Sequence, residues 1–143
     1  MKLFIQSKTN IKETTIQRTE KAYQLLKYTY GLVPIVAGVD KFTNLLTNWK
    51  EYLGESITNL LPFNAATFMA IVGIIEIVAG VLVLLRPRIG AWVVMGWLLV
   101  IALALMLGGH YFDVAVRDLV MAAGAFALAK LAGVFNMQKS VYE

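Results

Sequence analysis

The stretch AATFMAIVGIIEIVAGVLVLL, residues 65–85, decides the fold. It is apolar almost throughout and carries a single carboxylate, Glu76, near its centre. A helix of this length, rising about 1.5 Å per residue, just crosses a bilayer core of roughly 30 Å. Glu76 then lies near the midplane, where an ionised acid is expensive and faces a bundle interior or a wet cavity.

Composition extends this reading to the whole chain. Of 143 residues, 59% are hydrophobic and only 15% charged, against roughly 25% in soluble domains. Mean hydropathy is +0.68. One membrane domain accounts for the length and the apolar content. The chain contains no cysteine, which excludes disulfides, thiol relays, iron–sulfur ligation and c-type haem attachment from its own residues. The one histidine, His110, cannot supply bis-histidine haem ligation, and no metal site is expected.

Working outward, three further spans are predicted. The first, residues 22–42, is the least apolar; Lys27, Gly31, Pro34, Gly38 and Lys41 share one of its faces. Its two glycines permit close approach of a neighbouring helix, and Pro34 is expected to kink it. The third, residues 89–109, is free of charge and follows the basic turn Arg86-Pro87-Arg88. The fourth, residues 112–131, opens with Asp113, Arg117 and Asp118 and then becomes rich in alanine.

The remaining segments are polar or amphipathic. Residues 1–20 read as a basic cytoplasmic segment, with Thr14 or Thr15 capping a helix that begins near Ile16. Between spans one and two, Phe42, Leu45, Leu46, Trp49, Tyr52 and Leu53 recur at helical spacing among polar residues. That pattern predicts an interfacial amphipathic helix over about residues 43–60, ending at Gly54 or beyond. Pro62 and Asn64 signal the start of span two. Trp49, Trp92 and Tyr111 read as headgroup-level aromatics. The predicted architecture is an all-α membrane protein: a four-transmembrane-helix bundle within residues 21–133, with a cytoplasmic tail at 134–143.

Four spans return both termini to one side. Lys2, Lys8, Lys12, Arg18, Lys21, Lys27, Arg86, Arg88, Lys130 and Lys139 fall on that side, ten of the 13 basic residues; Lys41, Lys50 and Arg117 fall opposite. Under the positive-inside rule both termini are cytoplasmic. The charge of +4 and pI near 9.4 are thereby explained without a nucleic-acid partner.

The same topology gathers the polar residues. Asp40 and Lys41 close span one at the outer level where Asp113, Arg117 and Asp118 open span four. Arg117 is the expected counter-charge for Glu76, because unpaired charge in lipid is costly. Gly73 and Gly80 share the face of Glu76 and leave room for a helix, water or ligand beside it. The candidate intramembrane polar site is therefore Glu76, Arg117, Asp118, Asp40 and Lys41. Glu76 is open to a packing role as well as a functional one.

Four motifs carry a resemblance: Gly38-Val39-Asp40-Lys41-Phe42, Gly73-Ile74-Ile75-Glu76-Ile77, Arg86-Pro87-Arg88 and Val116-Arg117-Asp118-Leu119. Over about residues 24–132 the chain resembles the DoxX family of small four-span membrane proteins. The resemblance implies a four-helix bundle in a prokaryotic cytoplasmic (inner) membrane, associated with redox systems that include quinone-coupled ones. It also implies that the polar residues named above are the family-like ones. Related proteins that handle thiols need cysteines, so thiol chemistry is not expected here.

Three functions are compatible with these features. The first is a non-catalytic accessory subunit of a membrane-bound, respiratory or redox-associated complex. Its partners would be the lipid bilayer and other membrane subunits or copies of itself, and it would have no intrinsic cofactor. The second is a quinone- or quinol-handling subunit in which Glu76 exchanges protons with the head group. The third is a small proton-coupled carrier, disfavoured because no inverted repeat is visible.

Overall fold

The computed structural model describes residues 1–53, 59, 62, 64–109 and 111–142, with 136–142 described by backbone alone. Four α-helices are present among the described residues: α1 (Lys2–Thr43), α2 (Ala65–Leu85), α3 (Pro87–Leu107) and α4 (Phe112–Tyr142). No strand occurs among these residues.

The helix ends follow local chemistry. α2 starts at Asn64, whose side chain accepts from the Thr67 amide at 2.8 Å, and it ends before Arg86. Pro87 then opens α3, because proline lacks only an amide that a first turn leaves unused. α1 stops at Asn44, which takes a left-handed conformation (φ 51°) and returns its amide to the Asp40 carbonyl. Gly109 (φ 70°) and Tyr111 (φ 59°) turn the chain between α3 and α4.

Several expectations change here. The segment 1–20 continues into the first span as one helix of 42 residues, about 63 Å long. Thr14 and Thr15 do not cap it: their hydroxyls donate to the carbonyls of Asn10 and Ile11 four residues back, a bond available only inside a formed helix. α1 also runs on through Pro34. The expected interfacial helix over 43–60 is, across residues 44–53, an irregular turn followed by one 3₁₀ turn at Trp49–Tyr52. Asp40 draws the amides of Leu45 and Leu46 to its carboxylate there, so they cannot continue a helical ladder. Residues 54–58 and 60 of that prediction, Gly54 included, lie outside the described residues, as does His110, while Asn59 between them is helical. The tail expected at 134–143 continues α4 as helix to Tyr142.

Burial is distributed as lipid requires. α2, α3 and the Phe112–Phe135 part of α4 are each long and apolar enough to cross a membrane. Their large apolar side chains point outward, among them Ile74, Val78, Val100, Leu103 and Val120. The interior instead holds small residues (Ala79, Ala91, Ala125, Ala129) and four charged ones, Asp40, Lys41, Glu76 and Asp118. A soluble domain of this size does not leave so much contiguous apolar surface uncovered. The chain is a multi-pass membrane protein.

The helices associate as two pairs, α1 with α2 and α3 with α4, joined mainly through α2 and α3. The α1–α2 seam is built on glycine. A Cβ on Gly38 would come within 2.5 Å of the Gly73 carbonyl, and one on Gly73 within 2.7 Å of the Gly38 carbonyl. Gly31 and Gly80 repeat this close approach seven residues along each helix, in antiparallel register. With little hydrophobic force between helices in lipid, such backbone proximity provides the dispersion contact that holds them. On the far side Tyr30 donates to the Met121 carbonyl at 2.7 Å, in the space left by Gly124, and ties α1 to α4.

The seam sets a prediction. Gly73→Ala is expected to destabilise the bundle by about 1–3 kcal/mol, the usual range for overpacking. Gly96→Ala, where a Cβ meets nothing within 4 Å, is expected to be neutral or to stabilise by up to about 1 kcal/mol through helix propensity. Equilibrium unfolding in mixed micelles reads both.

Candidate functional site

Lys41, one turn from the C-terminus of α1, reaches across the seam to Glu76 in the middle of α2. Its Nζ lies 2.6 Å from Glu76 Oε2, with the two side chains only 4% and 11% exposed. The glycine seam makes this reach possible, since a Cβ on Gly73 would lie 3.2 Å from Lys41 Cβ. Above the ammonium, 3.7 Å from its Nζ, stands the ring centroid of Trp49. The cation is thus held between a carboxylate and an aromatic face, two partners that replace lost water.

This pairing corrects the expectation that Arg117 is the counter-charge of Glu76. The Arg117 side chain is 66% exposed, and its charged contact is Asp118 on its own helix, at 3.9 Å. Lys41 takes its place because α1 packs directly on the Glu76 face of α2, while α4 packs chiefly on α3.

Asp40 has a different duty. Its Oδ1 accepts from the Leu45 and Leu46 amides at 2.9 and 3.1 Å and from the Thr43 hydroxyl at 3.1 Å. Its Oδ2 accepts from Trp49 Nε1 at 2.7 Å. Asp40 therefore folds the loop after α1 back over the bundle and fixes the indole that covers Lys41. Trp49, expected at headgroup level, is part of the site.

Below this loop lies a cleft of about 800 Å³ between the four helices. Its walls are mostly apolar, with Val72, Ala79, Val94, Leu98 and Met121 among them, and four charged residues reach it: Lys41, Glu76, Arg117 and Asp118. Asp40 does not line it. The size and lining fit a lipophilic molecule with a small polar head. Two cations and two acids leave the wall close to electrically neutral.

Trp97, on α3, is the member that sequence reasoning missed. Its Nε1 is buried beside the Glu76 carboxylate yet completes no hydrogen bond of proper geometry among the described residues. A buried indole usually finds an acceptor, and the Glu76 carboxylate is the one beside this N–H. A tryptophan at the centre of the charge-free span was the available signal, since an interfacial role belongs at a span's end. Tyr52, from the loop, also lines the cleft and stacks on Tyr111, just before α4, at 4.8 Å. Among the described residues no group of acids and histidines is placed to hold a metal ion.

Comparison with known proteins adds no relative: no family model, curated protein or solved structure matches the chain.

The pair yields a second prediction. Lys41→Met strands the Glu76 carboxylate and is expected to cost about 3–5 kcal/mol, whereas Lys41→Met with Glu76→Leu recovers most of that loss. A double-mutant cycle read by unfolding in mixed micelles measures the coupling.

Proposed function

We propose that this chain is a membrane-embedded binding subunit that holds a neutral, lipophilic ligand of the quinone class. The carrying observation is an apolar cleft of about 800 Å³ whose few charged residues, Lys41, Glu76, Arg117 and Asp118, balance one another. A balanced wall has little to offer an anionic or cationic head group. The prenylated ring of a quinone is neutral, with a small polar head for the charged residues and an apolar body that matches the remaining walls.

Several features support placing this subunit as expected from the sequence. The portion of α1 from residue 22 onward packs along α2 at both glycine pairs, which supports a first span and hence four in all. The distribution of Lys and Arg then argues for both termini being cytoplasmic. The order of the four polar motifs resembles the DoxX family, which implies a prokaryotic inner membrane and a redox-associated setting. The head of α1 supports a partner as well. From Met1 to Arg18 it is exposed helix, with Lys2, Lys8, Lys12 and Arg18 along it. A lone helix of that length is marginal in water, so a neighbouring subunit would have a stabilising role there.

Within this reading the chain is an accessory, ligand-holding component rather than an independent enzyme. Glu76 is engaged by Lys41, and that ion pair forms the polar end of the cleft against which the head group lies.

The expected result is that protein extracted in a mild detergent carries a quinone detectable by organic extraction and mass spectrometry. Ile101→Trp, which narrows the apolar part of the cleft, is expected to lower quinone affinity about tenfold, equivalent to about 1.4 kcal/mol. A wild-type extract free of quinone and unable to take one up would contradict the proposal.

A further inference from the structure

The two acids of the cleft are not equivalent. Glu76 is bonded to Lys41 at 2.6 Å, so one of its oxygens is already committed. Asp118 is as deeply placed, 7% exposed, and lines the same cleft. No hydrogen bond to its carboxyl is formed by any described residue, and its single ionic contact is Arg117 at 3.9 Å, beyond hydrogen-bond length. That arginine also lines the cleft, but at 3.9 Å it makes no hydrogen bond to the Asp118 oxygens. The groups that face Asp118 from the other helices are engaged elsewhere or offer no donor. Lys41 on α1 is held by Glu76 and Trp49, and Glu76 on α2 is itself an acid. From α3 the polar group is the Trp97 N–H, which lies beside the Glu76 carboxylate.

A buried carboxyl without a hydrogen-bond partner is rare and calls for one. In either protonation state it presents an acceptor oxygen. The complementary ligand group is therefore a hydroxyl.

Resting on the quinone-class reading above, we infer that Asp118 is the specificity-determining residue of the cleft and selects the dihydroxy (quinol) form over the quinone. A quinone has only acceptor oxygens and offers the Asp118 carboxylate no donor. A quinol does, its hydroxyl hydrogen being directed to an Asp118 oxygen. Recognition needs no transfer of electrons, and the ligand leaves in the form in which it enters.

The test uses the full chain in lipid nanodiscs and three short-chain prenyl probes with one ring: the hydroquinone, the quinone and the hydroquinone dimethyl ether. Titrations are run anaerobically and read by quenching of tryptophan fluorescence. The wild type is expected to bind the hydroquinone at least about tenfold more tightly than the other two, one bond to a charged or buried acceptor being worth about that much. Asp118→Asn, whose neutral amide accepts more weakly and can also donate to a quinone oxygen, is expected to bring the three affinities within about threefold of one another, with quinone affinity unchanged or raised, and Asp118→Glu to restore part of the preference. The dimethyl ether arm needs no variant, so the outcome stands even where Asp118→Asn does not fold. Equal wild-type affinity for all three probes would overturn the role of Asp118 while leaving the quinone reading intact, as would a preference that persists in folded Asp118→Asn. Absence of binding by every probe would overturn both.

Discussion

The Lys41–Glu76 ion pair is the constraint on which the rest of the structure depends. Two charges removed from water need one another at short range, and in lipid the alternative of hydration is absent. For Nζ to reach Oε2, α1 and α2 must approach to backbone contact, which Gly38 and Gly73 allow. Lys41 then needs a cover on its outer side, and Trp49 provides it. Trp49 in turn is held by Asp40, whose carboxylate also turns the chain at the end of α1. Charge pairing, helix packing and loop geometry are one linked arrangement.

The same arrangement leaves a cleft without further device. α1 and α2 close tightly at the glycine seam, while α3 and α4 pair with each other through alanines. Where the two pairs face one another near the outer end, their apolar side chains leave the cleft. The polar groups that reach it come from all four helices: Lys41, Glu76, Trp97 and Asp118. Each helix contributes a fixed group from a rigid element, which is how a small bundle positions a ligand without mobile catalytic loops.

Much of this was legible in the sequence. The span at 65–85 coincides with α2, and Arg86-Pro87-Arg88 marks the turn into α3, because hydropathy and proline act locally. The polar set named from the sequence also gathers at one end, with Asp40 serving the loop and the others the cleft. What sequence could not supply was which helix lies beside which. Arg117 and Lys41 were at similar depth, and only the glycine seam chooses Lys41 for Glu76. The reach of α1 back to Lys2 was hidden because residues 2–21 have no apolar stripe, and helix propensity alone marks them. Trp97 was overlooked because an indole in an apolar run looks like packing until its N–H is seen beside the Glu76 carboxylate.

The central claim is that Glu76 is paired with Lys41 at the polar end of a ligand cleft. Solid-state NMR of uniformly labelled protein in bilayers tests it most directly, through dipolar recoupling between lysine Nζ and glutamate carboxyl carbons. The account predicts one strong Lys–Glu contact at about 4 Å or less, the span of a direct ion pair, lost in Glu76→Gln. A Glu76 carboxyl coupled instead to an arginine guanidinium, or to water alone, would contradict it.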